Sequence, residues 1–271
     1  MKRSFAVGMG LAVWLALGAG NGPRAVVQAA GQATTQAKPA PTVDEILERA
    51  IRASGGREAW KRLTSVRMKG RAEIVGMDAP GTFEILAKAP NKVLQTITLG
   101  PTVLKQGSDG QQGWKELPGQ GVQDMTGGEL SQFKRDSEFY GELKFRELYS
   151  QITYLGEEDV NNRPAYVLRA VPADGAARKF YFDKASGLRV RMDDEEGAEE
   201  NPPAQSYFED YKEVAGTGVK MPATVRIVTP AMSVVVRLEE MAANVAIDDA
   251  VFAKPAAETT GASSADEQKT E

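Results

Sequence analysis

Arg178–Met192, RKFYFDKASGLRVRM, reads as a strand, a tight turn and a second strand. Phe180, Tyr181 and Phe182 are strong strand formers. Asp183, Ser186 and Gly187 supply turn chemistry, and Gly187 is free to take a positive φ. Leu188, Val190 and Met192 alternate with Arg189 and Arg191, which predicts one apolar face and one charged face. The pattern recurs along the chain, with Gly, Asp and Pro turns between short strands. It describes an antiparallel sheet with one side in water.

Upstream, Val66, Met68, Gly70, Ala72 and Ile74 alternate with Ser65, Arg67, Lys69, Arg71 and Glu73. Further strands are expected at Phe83–Ala87, Val93–Leu99 and Val103–Gln106, the last resuming at Trp114 after a Gly-rich interruption. Downstream they are expected near Ile152–Leu155, Ala165–Val171, Ser206–Glu213, Thr224–Val228 and Met232–Glu239. The total is about ten or eleven strands, close to the size at which a twisted sheet curls. Two stretches break the pattern. Thr42–Ala53 carries a capping box, Thr42 with Glu45, and an apolar stripe of Val43, Ile46, Leu47, Ala50 and Ile51. Thr126–Ser150 has a second such box, Thr126 with Glu129, and is expected to form two helices split near Gly141. Helices inside a meander must lie across a face or mouth of the sheet. The fold class expected is therefore mainly β with helices, an α+β arrangement.

The chain has 271 residues with no Cys and no His. That excludes His triads, His or thiolate metal sites, thiol nucleophiles and disulfides. Residues 1–29 read as an export signal: Lys2 and Arg3, an apolar run Phe5–Leu17, and a cleavage site near Val27-Gln28-Ala29. The alternative is an uncleaved anchor. Removing residues 1–29 leaves 30 basic against 37 acidic residues, a net charge of −7 that disfavours nucleic acid. Residues 30–41 read as a disordered linker, 42–256 as one folded domain and 257–271 as a disordered polar tail.

Four stretches resemble the periplasmic lipoprotein carriers of the LolA/LolB-like family. They are Gly81–Lys92 (GTFEILAKAPNK), Gly107–Trp114 (GSDGQQGW), Phe182–Leu188 (FDKASGL) and Asn244–Pro255 (NVAIDDAVFAKP). Their order and spacing agree with that family from Thr42 to Pro255. One position departs: the carriers have an arginine directly before the Pro of the "K-x-P-N" turn, and here Ala89 stands there. The resemblance is to an outlying group. It implies an open, curved antiparallel half-barrel whose concave apolar face is lidded by helices and holds acyl chains. It further implies a periplasmic, monomeric protein whose partners are lipids or lipidated proteins, with an envelope protein as a further partner.

Under that reading the cavity lining is Val66, Met68, Ile74, Phe83, Ile85, Ile97, Trp114, Leu130, Phe133, Leu188, Val190 and Met192. The plain alternative makes the same residues ordinary core beneath the helices. Trp60 and Trp114 suit either a cavity rim or the helix–sheet seam, and Tyr207, Phe208 and Tyr211 suit stacking between strands. No catalytic residue, cofactor or metal ligand is expected. Ser131 and Lys134 have the Ser-x-x-Lys spacing of acylating enzymes without the companion motifs. The acidic run from Asp193 to Glu200 lacks the alternation of a Ca²⁺ loop and reads as solvated charge. The functional expectation is a non-enzymatic carrier of acyl chains. The alternatives are an envelope interaction module with a filled core and, more remotely, a Ser–Lys hydrolase.

Overall fold

The computed structural model describes residues 39–77, 81–195 and 203–256. The export signal, most of the linker, the polar tail and Glu196–Glu200 of the acidic run lie outside them. Two helices, α1 (Val43–Ala53) and α2 (Arg57–Lys61), precede β1 (Ser65–Ile74). Then follow β2 (Gly81–Lys88), β3 (Lys92–Leu99), β4 (Thr102–Ser108), β5 (Gly113–Leu117) and β6 (Gly121–Asp124). Helices α3 (Gly127–Asp136) and α4 (Phe145–Leu148) interrupt the strands. The chain resumes with β7 (Gln151–Val160), β8 (Arg163–Val171), β9 (Arg178–Asp183) and β10 (Arg189–Asp194). It closes with β11 (Gln205–Glu213), β12 (Lys220–Val228), β13 (Ser233–Ala243) and a 3-10 turn at Asp249–Phe252.

Among the described residues all the strands form one antiparallel sheet of 13, where ten or eleven were expected, in the order β6-β5-β4-β3-β2-β1-β13-β12-β11-β10-β9-β8-β7. The chain leaves the middle of the sheet at β1 and walks to one edge. It crosses through α3 and α4 to the other edge and walks back to β13. The sheet is open, with β6 and β7 at its two edges.

Residues directly paired on neighbouring antiparallel strands share a face. Val66, Met68 and Gly70 pair with Ala87, Ile85 and Phe83, and Phe83 pairs with Ile97. Across the centre, Ala72 and Ile74 pair with Val236 and Val234. This is the inner face, because Val66 and Met68 pack with Trp60 of α2 and with Phe139 and Leu143 of the crossover. The outer face carries charge, ordered by cross-strand ion pairs such as Arg67–Glu84 at 2.9 Å and Arg237–Glu73 at 2.9 Å.

The capping box on α1 forms: the Glu45 backbone donates to Thr42 Oγ1, and Glu45 Oε2 accepts from the Thr42 backbone. Its apolar stripe then seats Ile46, Leu47 and Ala50 on Leu168 of β8 and Phe180 and Phe182 of β9. Phe145 of α4 and Tyr149 join that cluster, with Phe145 edge-on to Phe180 at 4.8 Å. The second box does not form. Thr126 makes no side-chain cap, and Glu129 pairs instead with Lys115 of β5 at 2.6 Å.

Helix α3 reports on curvature. Near its start, Glu129 is tied to β5 through Lys115; at its end, Asp136 is tied to Arg178 of β9. Ten helical residues span about 15 Å. In a flat sheet β5 and β9 would stand nine strand spacings apart, about 43 Å. One helix reaches both, so the sheet is curled with the helix-bearing face inside.

Candidate functional site: an apolar trough on the inner face

The two halves of the inner face differ. On β8 and β9 it is filled, with Leu168 and Phe180 at 2% exposure or less under α1 and α4. On β12, β13 and β1–β4 it forms a continuous apolar strip whose larger side chains are only half-buried, around a buried centre at Ala72 and Val236. Val225, Ile227, Val234, Leu238, Ile74, Phe83, Ile85, Ile97, Leu99 and Leu104 all belong to it. Gln95 and Gln106, joined at 2.7 Å, put one amide pair within it. At one end the strip is plugged by Trp60, Leu63, Val219, Phe139 and Leu143. At the other it runs out, through Ile74, Val234 and Ile227, to the β1–β2, β12–β13 and β3–β4 turns.

Of the residues expected to line a cavity, Val66, Met68, Ile74, Phe83, Ile85 and Ile97 share this face across β1–β3. Val66 lies deepest, in the plug. Met192 is on the inner face but packs against the filled Phe180 cluster. Leu130 of α3 lies over Gly113 of β5, and Phe133 is half-buried on the same helix.

Three expected residues lie elsewhere. Leu188 precedes β10, in the turn, where its backbone accepts from Asp183. Val190 occupies a bulge: Arg189 pairs with Phe182 and Arg191 with Tyr181, so one residue is extra. A bulge shifts the alternation by one. Val190 therefore packs outward with Tyr181 and Tyr207. Arg189, expected on the charged face, points inward to Glu142 at 2.9 Å. Trp114 pairs with Gly107 on the outer face. There it is 2% exposed, and its Nε1 donates to the Phe252 carbonyl of the C-terminal segment.

The aromatic residues of β11 meet arginines rather than one another. Tyr207 lies between Arg191 and Arg226, the latter 3.8 Å from its ring centre, and Arg189 lies over Phe208. Trp60 seals the seam and donates to Ser54 Oγ. Ser131 lies beside the Asp174 carboxylate and, with Arg135, holds it below its ordinary range. In the acidic run, Asp193, Asp194 and Glu195 are each paired with an arginine, Arg191, Arg178 and Arg169. Among the described residues no acidic group is arranged to hold a metal. The β12 and β13 part of the trough was not assigned from sequence. Val234-Val235-Val236 is a run without alternation, and only pairing with β1 shows which valines face inward.

Compared with models of known families and with curated proteins, the sequence matches none. Solved structures do resemble it. A DUF1329 family protein from Desulfovibrio piger has a TM-score of 0.52 at 17% identity, over 78% of this chain and 97% of that one. A LolA superfamily protein from Nitrosomonas europaea has a TM-score of 0.51 at 14% identity, over 79% and 99%. A domain assigned to outer membrane lipoprotein sorting, from Vibrio parahaemolyticus, has a TM-score of 0.51 at 13% identity, over 78% and 97%. At such identities the likeness is one of architecture, and it spans almost the whole of each relative. The chain has the LolA-like fold, on a sequence that stands far from the proteins sharing it.

Proposed function

We propose that the protein is an exported, non-enzymatic carrier that holds the acyl chains of a lipid or lipidated protein in its inner trough. The observation that supports this most directly is the asymmetry of the inner face. One half is packed solid by α1 and α4, whereas the other leaves a plugged apolar strip whose larger side chains are only half-buried. An ordinary core would leave neither half open. The name of the Vibrio relative, lipoprotein sorting, points the same way.

Burial of one methylene is worth about 0.8 kcal/mol. A chain of about fourteen methylenes gives a gross drive on the order of 11 kcal/mol before ordering costs. Apolar area supplies that drive without any catalytic group or fixed polar ligand. Helix α3, tied at both ends across the curl, serves as the cover. Residues 1–29 serve as the export signal, which places the carrier in the periplasm as a monomer handing cargo to an envelope partner.

The test is native mass spectrometry of the protein purified from its own compartment. The expected result is extra mass that organic solvent removes and lipid analysis identifies. Bare protein that also refuses added fatty acid and phospholipid would overturn the carrier reading and favour an interaction module.

A further inference from the structure

One row of side chains crosses the inner face from the centre of the sheet to an edge. Direct pairing places Met68 of β1, Ile85 of β2, Gln95 of β3, Gln106 of β4, Lys115 of β5 and Gln123 of β6 in line. Adjacent strands are about 4.8 Å apart, so the row is about 24 Å long. Its chemistry changes along the way. It is apolar on β1 and β2, amide on β3 and β4, and charged or polar on β5 and β6. Helix α3 begins over the polar end, through Glu129 on Lys115 and Leu130 against Gly113.

The amide pair stands at the foot of the trough. Toward the plug, its neighbours on the same face are Val93 and Ser108, both buried. Toward the open end they are Ile97 and Leu104, both half-buried. Gln106 Nε2 donates to Gln95 Oε1 at 2.7 Å. Each amide carries a pair of N–H donors, so that bond leaves most of them free. Among the described residues no other hydrogen bond engages either side chain. Both are half-buried, and cargo lying across them strips water from those donors. A donor left unmade there costs affinity, and an acceptor on the cargo recovers it. That acceptor is neutral. The neighbouring cation, Lys115, is already taken by Glu129 at 2.6 Å, so an anion would lose its water without gaining a counter-charge.

We infer that Gln95 and Gln106 hold the ester carbonyl of an acylglycerol. The acyl chain lies over Ile85 and Met68, and the rest of the glycerol is directed past Lys115 toward the β6 edge. The inference rests on the carrier reading and deepens it: apolar area holds the cargo, and the amide pair fixes its class and its direction. The ester is common to a phospholipid and to a protein carrying a diacylglyceryl group.

The test is titration of the delipidated protein with an ester-linked lysophosphatidylcholine and with its ether analogue of the same chain length, both below their micellar concentrations. The two differ in the carbonyl alone, and the ether is the more apolar, so burial by itself favours the ether. The expected result is about fivefold tighter binding of the ester, the effect of one neutral hydrogen bond. In the doubly substituted Gln95→Leu/Gln106→Leu protein the preference disappears while the ether binds within about twofold of wild type, with unchanged circular dichroism. The isosteric Gln95→Glu keeps the bond from Gln106 but removes the free Gln95 donors, and it lowers the preference in the same direction. Equal binding of ester and ether by the wild type, or a preference that survives both variants, would overturn the inference and leave the carrier reading standing. If neither lipid binds, both fall. The same ester–ether comparison on a diacylglyceryl-cysteine peptide separates the sources: a preference there as well assigns the ester to a lipidated protein, and one confined to the lysolipid assigns it to a phospholipid.

Discussion

Asp183 holds the turn of the β9–β10 hairpin with a side chain 1% exposed. Its Oδ1 accepts from the Ser186 backbone at 2.6 Å and from the Ser186 hydroxyl at 2.7 Å, and Arg163 reaches Oδ2 at 3.0 Å. Burial pushes the carboxyl up, and the Ser186 and Arg163 interactions more than offset it, so it is held below its ordinary range. A depressed carboxylate stabilises the fold above its unfolded pKa and loses that contribution as pH falls through its folded one. Asp183→Asn is expected to cost about 1–2 kcal/mol at pH 7. Thermal melts should show the gap from wild type narrowing below about pH 4; a gap constant to pH 3 would contradict the account. Gly107 is a second such position. A Cβ there would stand 2.7 Å from Trp114 Cζ2, and the ring is held by its bond to Phe252. Gly107→Ala should cost about 1–3 kcal/mol, with a red-shifted tryptophan emission. The serine, aspartate and glycine of these turns were legible in the sequence. The face on which Trp114 lies was not, because alternation gives two faces without saying which one is covered.

Among the elements, α3 carries the most exposed argument. It contributes no fully buried side chain, so the ion pairs at its ends carry much of its positioning. Arg178, 5% exposed, joins Asp136 of α3 to Asp194 of β10. Removing one partner leaves a buried guanidinium half-satisfied. Asp136 is itself 41% exposed, so solvent moderates the loss. Asp136→Ala should cost about 1–2 kcal/mol and speed limited proteolysis within residues 127–148 while leaving β8–β9 protected. Equal protection throughout would mean that packing, not the ion pair, fixes the crossover. The existence of these helices was readable from their apolar positions, since Leu130, Phe133, Phe145 and Leu148 break strand alternation. The cap of α3 was not, because Glu129 has a partner fourteen residues back on β5 that outcompetes Thr126. The bulge at Val190 was hidden for a related reason. Alternating Leu, Arg, Val, Arg and Met satisfies a regular strand, and only the positions of Phe182 and Tyr181 opposite reveal the extra residue.

At the scale of the whole molecule, turn chemistry predicts which consecutive strands pair, and every such hairpin is present. Nothing local says that β1 meets β13, because that pairing joins residues about 170 apart and is decided by how the two halves curl together. The trough inherits this: its floor straddles the β1–β13 seam, so half of it was invisible until the seam was known. The same division yields a contrast between two substitutions. Ile97 is half-buried on the trough side of β3 and belongs to none of the packed clusters; Phe180 is 2% exposed between Phe145 and Tyr149. A charge at Ile97 remains hydrated in the empty protein and is desolvated only when an acyl chain lies over it. Ile97→Asp should therefore lower stability by about 1 kcal/mol or less, while weakening binding of a fluorescent fatty acid at least tenfold. Phe180→Ala opens a cavity in the solid half and should cost about 3–5 kcal/mol, yet leave fatty acid affinity within about twofold at temperatures where the protein stays folded. Measuring melting temperature and fatty acid titration on both variants separates floor from core. If Ile97→Asp unfolds the protein, or if Phe180→Ala abolishes binding in the folded state, the two halves of the inner face are not distinct and the trough is ordinary core.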